Sequence, residues 1–367
     1  MGDQEHLDSV AARNRTPRFT TPDWWIYRGI GRPWHDVRPI DLLPPPPPWR
    51  TFTGGPLPAS DTPPPDDDGE EARRLGVELH LSERDVDPHE VDAVNAALYL
   101  RRPLIVTGRP GTGKSTLAFR IARELGLGRV LQWSISSRTT LRSGLYGYDP
   151  IGRVQAAAAG QAAAHGSDDA PAEPPIGDFV RLGPLGTAFL PSAAPRVLLI
   201  DEFDKSEVDL PNDLLGIFEN GQFSIPELAR VQHRTPEVSV FTDDPDRRAV
   251  IHGGRVQCRE FPVVVITSNG ERDFPEAFLR RCMQLRLAEP GIDQLTAMVA
   301  AHLRAGDDER RAALIQEFVD RSAAAGGLPA NKLLDAVFLA TSGAYDEQDE
   351  SWPRLLDALW RRLISVS

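Results

Sequence analysis

The chain has few of the residues that stabilise secreted or metal-bound proteins. Of its 367 residues only two are cysteines, Cys258 and Cys282, which excludes a disulfide framework. The eight histidines do not lie near these cysteines at the spacing of metal ligands, so no structural metal is expected. No stretch approaches the roughly 20 apolar residues of a membrane span, and the first residues lack the apolar region of a secretory signal. These absences predict a cytoplasmic protein without a membrane segment.

The chain also lacks the basic surplus that is typical of nucleic-acid-binding proteins. It has 53 acidic and 41 basic side chains, and its formal net charge is −12 at pH 7. Surfaces that neutralise phosphates are usually basic, so this balance disfavours a nucleic-acid partner and leaves only a local basic groove as a route to one. The 41% of hydrophobic residues are enough for one large or two medium globular domains.

Residues 1–75 have the composition of an N-terminal arm. They hold 14 of the 33 prolines and end in the acidic run at 66–71. The arm also carries the aromatic residues Phe19, Trp24, Trp25, Tyr27, Trp34, Trp49 and Phe52. Disordered segments are usually poor in aromatics. Part of the arm is therefore expected to pack, either on its own domain or on a neighbouring subunit or partner.

Three short apolar runs follow, separated by helical patterns. The runs lie at residues 104–106, 197–200 and 263–266. Such runs are typical of strands that are buried on both faces of a parallel sheet. After the first run, apolar residues recur every four positions up to Leu125 and predict a helix that ends at Gly126. The alternation predicts an α/β fold with a doubly wound parallel sheet, in which ligands bind beyond the carboxyl ends of the strands.

The strand patterns stop after Pro290, and four helical patterns take their place. They lie at 291–305, 309–323, 330–341 and 352–364, the last opened by Ser351 as its N-cap. The sequence thus predicts an α/β domain over 76–288 and a helical domain over 289–367. Residues 154–176, Ala-rich and then polar, are interpreted as an inserted helix or a flexible excursion.

A glycine-rich loop joins the first predicted strand to the helix after it. Its sequence fits G-x-x-x-x-G-K-[ST] and consists of Gly108, Arg109, Pro110, Gly111, Thr112, Gly113, Lys114 and Ser115, followed by Thr116. The glycines let the backbone surround phosphate groups with N–H donors. Lys114 is expected to contact the β- and γ-phosphates of ATP, and Ser115 to bind Mg²⁺.

Two carboxylates, Asp201 and Glu202, end the second apolar run. Phosphoryl transfer needs an anion that holds the metal and a base that orients water, and consecutive residues after a strand can supply both. We expect Asp201 to hold Mg²⁺ and Glu202 to be the catalytic base. Without the upstream glycine loop, the pair would more simply be a solvated turn.

The third apolar run ends in Thr267, Ser268 and Asn269. If this strand lies between the other two, the Asn269 amide can bond the attacking water or the γ-phosphate; otherwise Asn269 serves only as a turn residue before Gly270.

Arg280 and Arg281 end a short predicted helix further on. An arginine that reaches the γ-phosphate bound by a neighbouring subunit stabilises the transition state and is called an arginine finger. Arg281 is favoured for this role. The alternative is that the pair is only the solvated end of a helix.

The order of these motifs resembles the AAA+ ATPases, with Walker A, Walker B, sensor 1, arginine finger and lid in turn. The resemblance covers about residues 85–345, and the segments 201–205, 210–215 and 219–223 are similar to the MoxR group. It implies a hexameric, chaperone-like ATPase whose clients often carry von Willebrand factor A domains. The segments 146–185 and 224–258 match its insertions, the second as a β-hairpin. The sequence departs from the family after Pro329, where Ala330 replaces the sensor 2 arginine and Lys332 is the nearest cation.

Two classes of function fit these features best. One is ATP-driven remodelling of partner proteins, and the other is a nucleotide-gated assembly switch or scaffold with slow hydrolysis. A small-molecule kinase fits less well because Asp201 and Glu202 suit water activation, and a DNA-translocating ring is disfavoured by the negative charge.

Overall fold

The computed structural model describes residues 22, 24–33, 39–58, 64–65, 69–76, 86–163, 173–303, 308–325, 328–342 and 351–360. The strands are β1 Leu104–Thr107, β2 Leu131–Ser134, β3 Tyr146–Tyr148, β4 Val180–Leu182, β5 Val197–Asp201, β6 Gln222–Ser224, β7 Glu237–Phe241, β8 Arg248–His252, β9 Arg255–Gln257, β10 Val263–Ser268 and β11 Met283–Arg286. The helices are α1 Glu70–Leu75, α2 Pro88–Leu100, α3 Lys114–Leu125, α4 Leu141–Leu145, α5 Pro150–Ala163, α6 Pro184–Ala188, α7 Leu210–Asn220, α8 Pro226–Ala229, α9 Glu276–Leu279, α10 Ile292–His302, α11 Asp308–Ala325, α12 Asn331–Thr341 and α13 Trp352–Leu359. Within these ranges, every helix is too short or too polar to cross a lipid bilayer.

Five parallel strands form the central sheet, in the order β11-β1-β10-β5-β2. Their side chains alternate between two hydrophobic cores. Leu104, Val106 and Val265 join the core shared with α2 and α3. Ile105 and Ile266 face the opposite core, which includes residues of α6 and α7. Burial on both faces explains why these strands are uninterrupted apolar runs, and it confirms the predicted doubly wound α/β fold.

A second sheet of six short strands packs beside the first, in the order β3-β4-β7-β8-β9-β6. It combines strands from the stretches 146–182 and 222–257, and β7 and β8 form an antiparallel hairpin within the second stretch. The helix α5, Pro150–Ala163, lies within the predicted insertion 146–185 and begins before the Ala-rich and polar segment 154–176. Residues 164–172 of that segment lie outside the described residues.

The helices α10 to α13 form the C-terminal helical lid, as the sequence predicted. Their shared core includes Phe318, Leu333, Trp352 and Trp360. Ser351 occupies the N-cap position of α13, as predicted. Its backbone is already helical, however, and its side chain makes no capping bond. Residues 361–364, at the end of the last predicted helix, lie outside the described residues.

The described part of the N-terminal arm packs on the α/β domain. In its first part, Tyr27 is fully buried and its backbone bonds the Asn95 side chain of α2. Residues 39–58, which we call the strap, run across the surface that α7 shares with the segment before β10. There the Arg50 guanidinium donates to the Phe218 carbonyl at 2.6 Å and lies over the Phe261 ring. The expected aromatics Phe19 and Trp34 lie outside the described residues, and Trp49 is 74% exposed.

Part of the acidic run is bonded rather than simply solvated. Glu70 accepts from Arg74 at 3.2 Å, and Glu71 accepts from Arg123 of α3 at 2.6 Å. The first bond lies within α1, and the second holds α1 against α3, the helix that follows the glycine loop.

Candidate functional site

The predicted site residues meet at the carboxyl edge of the central sheet. Because β10 pairs with β1 on one side and β5 on the other, the ends of these three strands lie together. A cavity of about 790 Å³ opens there. Its lining includes the glycine-loop residues Pro110, Gly111, Thr112, Gly113, Lys114, Ser115 and Thr116, together with Asp201, Glu202, Thr267 and Asn269.

The glycine loop turns sharply into α3. Gly111 and Gly113 have φ of 82° and 84°, in the left-handed region that favours glycine. The helix begins at Lys114, so its N-terminus points into the cavity. The Lys114 ammonium now donates to the carbonyls of Gly108 at 2.8 Å and Arg109 at 2.9 Å. Burial lowers the pKa of Lys114, and the nearby carboxylates, Asp204 foremost, act against that shift.

Asp201 joins two of the three strand ends to the start of α3. Its Oδ1 accepts from the Ser115 hydroxyl at 2.7 Å and from the Thr267 hydroxyl at 2.6 Å. A serine hydroxyl beside a carboxylate is a donor set suited to Mg²⁺, which prefers oxygen ligands and takes few of them from the protein. No cluster of three His, Cys, Asp or Glu side chains that could cage a metal occurs among the described residues. The residues present therefore fit a metal that is shared with a phosphate ligand.

Glu202 has an unusual backbone and a charged neighbour. Its φ of 59° places a non-glycine residue in the left-handed region, and its N–H donates to the Thr267 hydroxyl at 2.9 Å. The carboxylate forms an ion pair with Lys205 at 2.8 Å, and both side chains are about half exposed. The Glu202 carboxylate is thus bonded to a lysine of the same short turn. The hydrogen bond to Glu202 raises the pKa of Lys205.

Asn269 lies at the end of β10 and lines the cavity, with its N–H bonded to Asp204 at 2.8 Å. The predicted role of Asn269 required its strand to lie between the other two, and β10 does lie between β1 and β5. Sequence reasoning missed two residues here. Thr267 lies two positions before Asn269, and strand alternation could have identified it. Nothing in the local pattern indicated that Asp204 would reach the β10 tip.

The arginine pair lies elsewhere on the surface. Arg281 bonds Glu219 and the Ala277 carbonyl, and Arg280 bonds Glu276. Neither arginine is among the residues that line the cavity of its own chain.

The lid closes the opposite side of the cavity. Met298, His302, Ala330, Asn331 and Leu334 are among its lining residues. Lys332 is not, although Asn331 and Leu334 are, and its carbonyl accepts from the Trp360 indole at 3.1 Å.

A strand, a glycine loop, a helix N-terminus, and carboxylates on a neighbouring strand, with a helical lid, define a P-loop nucleotide-binding fold of the AAA+ type. Residues 103–282 match the family model described as AAA domain (dynein-related subfamily), and this match supports the AAA+ fold. No curated protein matches the chain.

Proposed function

We propose that the protein is a Mg²⁺-dependent ATPase that works as a ring and remodels a partner protein. The observation that supports this most directly is the convergence of Lys114, the Ser115–Asp201 pair and Glu202 on one cavity. Each has the chemistry that ATP hydrolysis requires, a cation for the phosphates, oxygen ligands for a metal, and a carboxylate for water.

In this proposal, the site residues exchange their present partners for ATP. Lys114 leaves the Gly108 and Arg109 carbonyls and contacts the β- and γ-phosphates, beside the N–H groups that start α3. Ser115 and Asp201 would hold Mg²⁺, which would neutralise phosphate charge there. Glu202 accepts a proton from the attacking water, and Asn269 orients that water or the γ-phosphate.

The position of the arginine pair supports the proposal of a ring. Arg281, with Arg280 beside it, lies outside its own cavity, so it would complete the pocket of a neighbour. We propose a homo-oligomer, hexameric as in the MoxR group, with a von Willebrand factor A domain protein as the client. A cytoplasmic location fits such a client-handling ATPase.

The ion pair between Glu202 and Lys205 favours a second candidate, a nucleotide-gated assembly switch with slow hydrolysis. A base held by a cation activates water poorly, so a ring that assembles on ATP could persist and recruit an effector. A nucleic-acid motor remains the less favoured alternative because the chain carries a formal net charge of −12.

The test measures ATP binding and steady-state turnover by the purified chain with Mg²⁺. The Lys114→Ala variant is the control and should lose both, because it lacks the cation nearest the phosphates. Turnover that rises when a folded von Willebrand factor A domain is added supports the remodeller. Tight ATP-dependent assembly with negligible turnover supports the switch, and near-normal ATP affinity in Lys114→Ala would refute the assigned site.

A further inference from the structure

The tips of β5 and β10 are joined by side chains rather than by the strand ladder. The last paired residues between these strands are Ile200 and Ile266. Beyond them, the first link is the Thr267 hydroxyl, which accepts from the Glu202 N–H. The position of the Asn269 turn relative to β5 therefore depends on side-chain bonds.

Asp204 supplies two further links between these tips. One oxygen of its carboxylate, Oδ2, accepts from the N–H of Asn269 at 2.8 Å and from the N–H of Glu271 at 3.2 Å. Arg272 adds a further bond between the turn after β10 and the segment after β5, because its guanidinium donates to the Ser206 carbonyl at 2.7 Å. The turn after β10 is thus bound at both ends to the segment after β5.

The environment of Asp204 is unfavourable for a carboxylate that serves stability alone. The residue is only 6% exposed, and among the described residues no group donates to its second oxygen, Oδ1. A buried polar atom without a partner costs free energy, and native proteins retain such atoms mainly where they serve a function.

We propose that Asp204 is a positioning residue for ATP hydrolysis, which acts by holding the Asn269 turn at the phosphate end of the cavity. This inference rests on the proposed ATPase function. Asp204 and Glu202 belong to one segment, so a single short turn carries the predicted base and, through two N–H bonds, holds the turn on which Asn269 lies. Without Asp204, the turn loses its acceptor, and a displacement of about 1 Å can cost on the order of 10²-fold in rate.

The first test compares kcat and KM in Asp204→Ala, Asp204→Asn and the control Asp209→Ala. Asp209 is an exposed aspartate nearby whose side chain makes no capping bond. We expect kcat to fall on the order of 10²-fold in Asp204→Ala, with little change in the KM for ATP. Asp204→Asn keeps an acceptor oxygen but loses the charge, so a fall of about five-fold is expected. Wild-type kcat in either Asp204 variant, or an equal loss in Asp209→Ala, would overturn the proposal.

A double-mutant cycle with Asn269→Ala separates positioning from a general structural role. If Asp204 acts through Asn269, then Asp204→Ala should slow the Asn269→Ala enzyme no further. Two losses that multiply in full would mean that Asp204 acts independently of the turn, and the proposal would be wrong.

Hydrogen exchange gives a readout that does not need turnover. In the nucleotide-free chain, the amides of Asn269 and Glu271 should exchange faster in Asp204→Ala than in wild type or in Asp209→Ala. Should Asp204→Ala fail to fold, Asp204→Asn provides the same comparison, with a smaller increase because a neutral oxygen is a weaker acceptor. Unchanged exchange would overturn the role of Asp204 even in an active ATPase. A wild-type chain without turnover would instead overturn the proposed function.

Discussion

Glu202 occupies a backbone conformation that glycine would adopt more easily. A left-handed φ costs a non-glycine residue on the order of 1 kcal/mol, and here the Thr267 hydroxyl holds the N–H of Glu202 in place. Strained residues of this kind cluster at functional sites. The strain directs the side chain to the cavity, and Lys205 then bonds it.

Lys205→Met should raise ATP turnover, because it releases the Glu202 carboxylate from the ion pair. Half-exposed pairs contribute at most about 1 kcal/mol, so the increase should not exceed about five-fold. The measurement is steady-state kcat at saturating ATP. Glu202→Gln is the opposite control and should bind ATP but lose at least about 10²-fold in turnover. A kcat that is unchanged in Lys205→Met would mean that the pair does not restrain the base.

The sequence predicted single residues of the site where a motif defines them. The glycine loop, Asp201 and Glu202 each follow an apolar strand, and the structure brings them together as that pattern implies. Asp204 could not be predicted, because its bonds to Asn269 and Glu271 span more than 60 residues and depend on which strands are neighbours. The arginine pair stays a prediction, since its proposed target belongs to another subunit.

The glycine loop and the lid approach each other so closely that only glycine fits at one position. A Cβ built on Gly111 would lie 2.3 Å from the Pro329 Cα, and the Ala330 N–H lies 3.5 Å from the Gly111 carbonyl. The turn that precedes α12 therefore rests directly on the phosphate loop. Lid position and loop conformation are linked by backbone contact.

Gly111→Ala should displace the lid and weaken nucleotide binding. Gly126→Ala is the matched control, because Gly126 also has a left-handed φ but has nothing within 4 Å of the added Cβ. Both variants should lose about 1 kcal/mol of stability from backbone strain. Only Gly111→Ala should show faster hydrogen exchange at 328–334 and a higher Kd for ATP. Equal behaviour of the two variants would show that the loop and the lid are not coupled.

At the scale of elements, the sequence predicted the long features better than the short ones. The apolar runs identified β1, β5 and β10, and the four helical patterns identified α10 to α13. The order of the strands in the sheet could not be predicted from the sequence, because it depends on the crossover connections and not on the local pattern of residues. The six-stranded second sheet was missed as a unit, since several of its strands have only three residues and come from two distant stretches.

At the scale of the whole molecule, a shared site predicts complementation between two inactive variants. Arg281→Ala should keep ATP binding but lose about 10³-fold or more in hydrolysis, because each pocket lacks the neighbour's charge. Lys114→Ala should lose binding but still present an intact Arg281. When the two are mixed so that subunits exchange, turnover should rise above the sum of the separate variants.

Two outcomes would contradict the shared site. One is a chain that stays monomeric by light scattering at saturating ATP. The other is an Arg281→Ala variant that hydrolyses ATP at the wild-type rate. Arg280→Ala, changed at the neighbouring position, shows which arginine carries the effect.

The contacts of the strap limit how far the protein can be truncated from its N-terminus. A fragment trimmed to the family match at 103–282 would lose Phe52, which stacks on Phe261, and Arg50, which donates to the Phe218 carbonyl. Trimming would thus bare an aromatic surface and leave a carbonyl without its donor, a combination that promotes aggregation. Limited proteolysis should accordingly spare the strap in the native state. We therefore expect the smallest unit that folds on its own to include the strap and to begin upstream of the segment that matches the family.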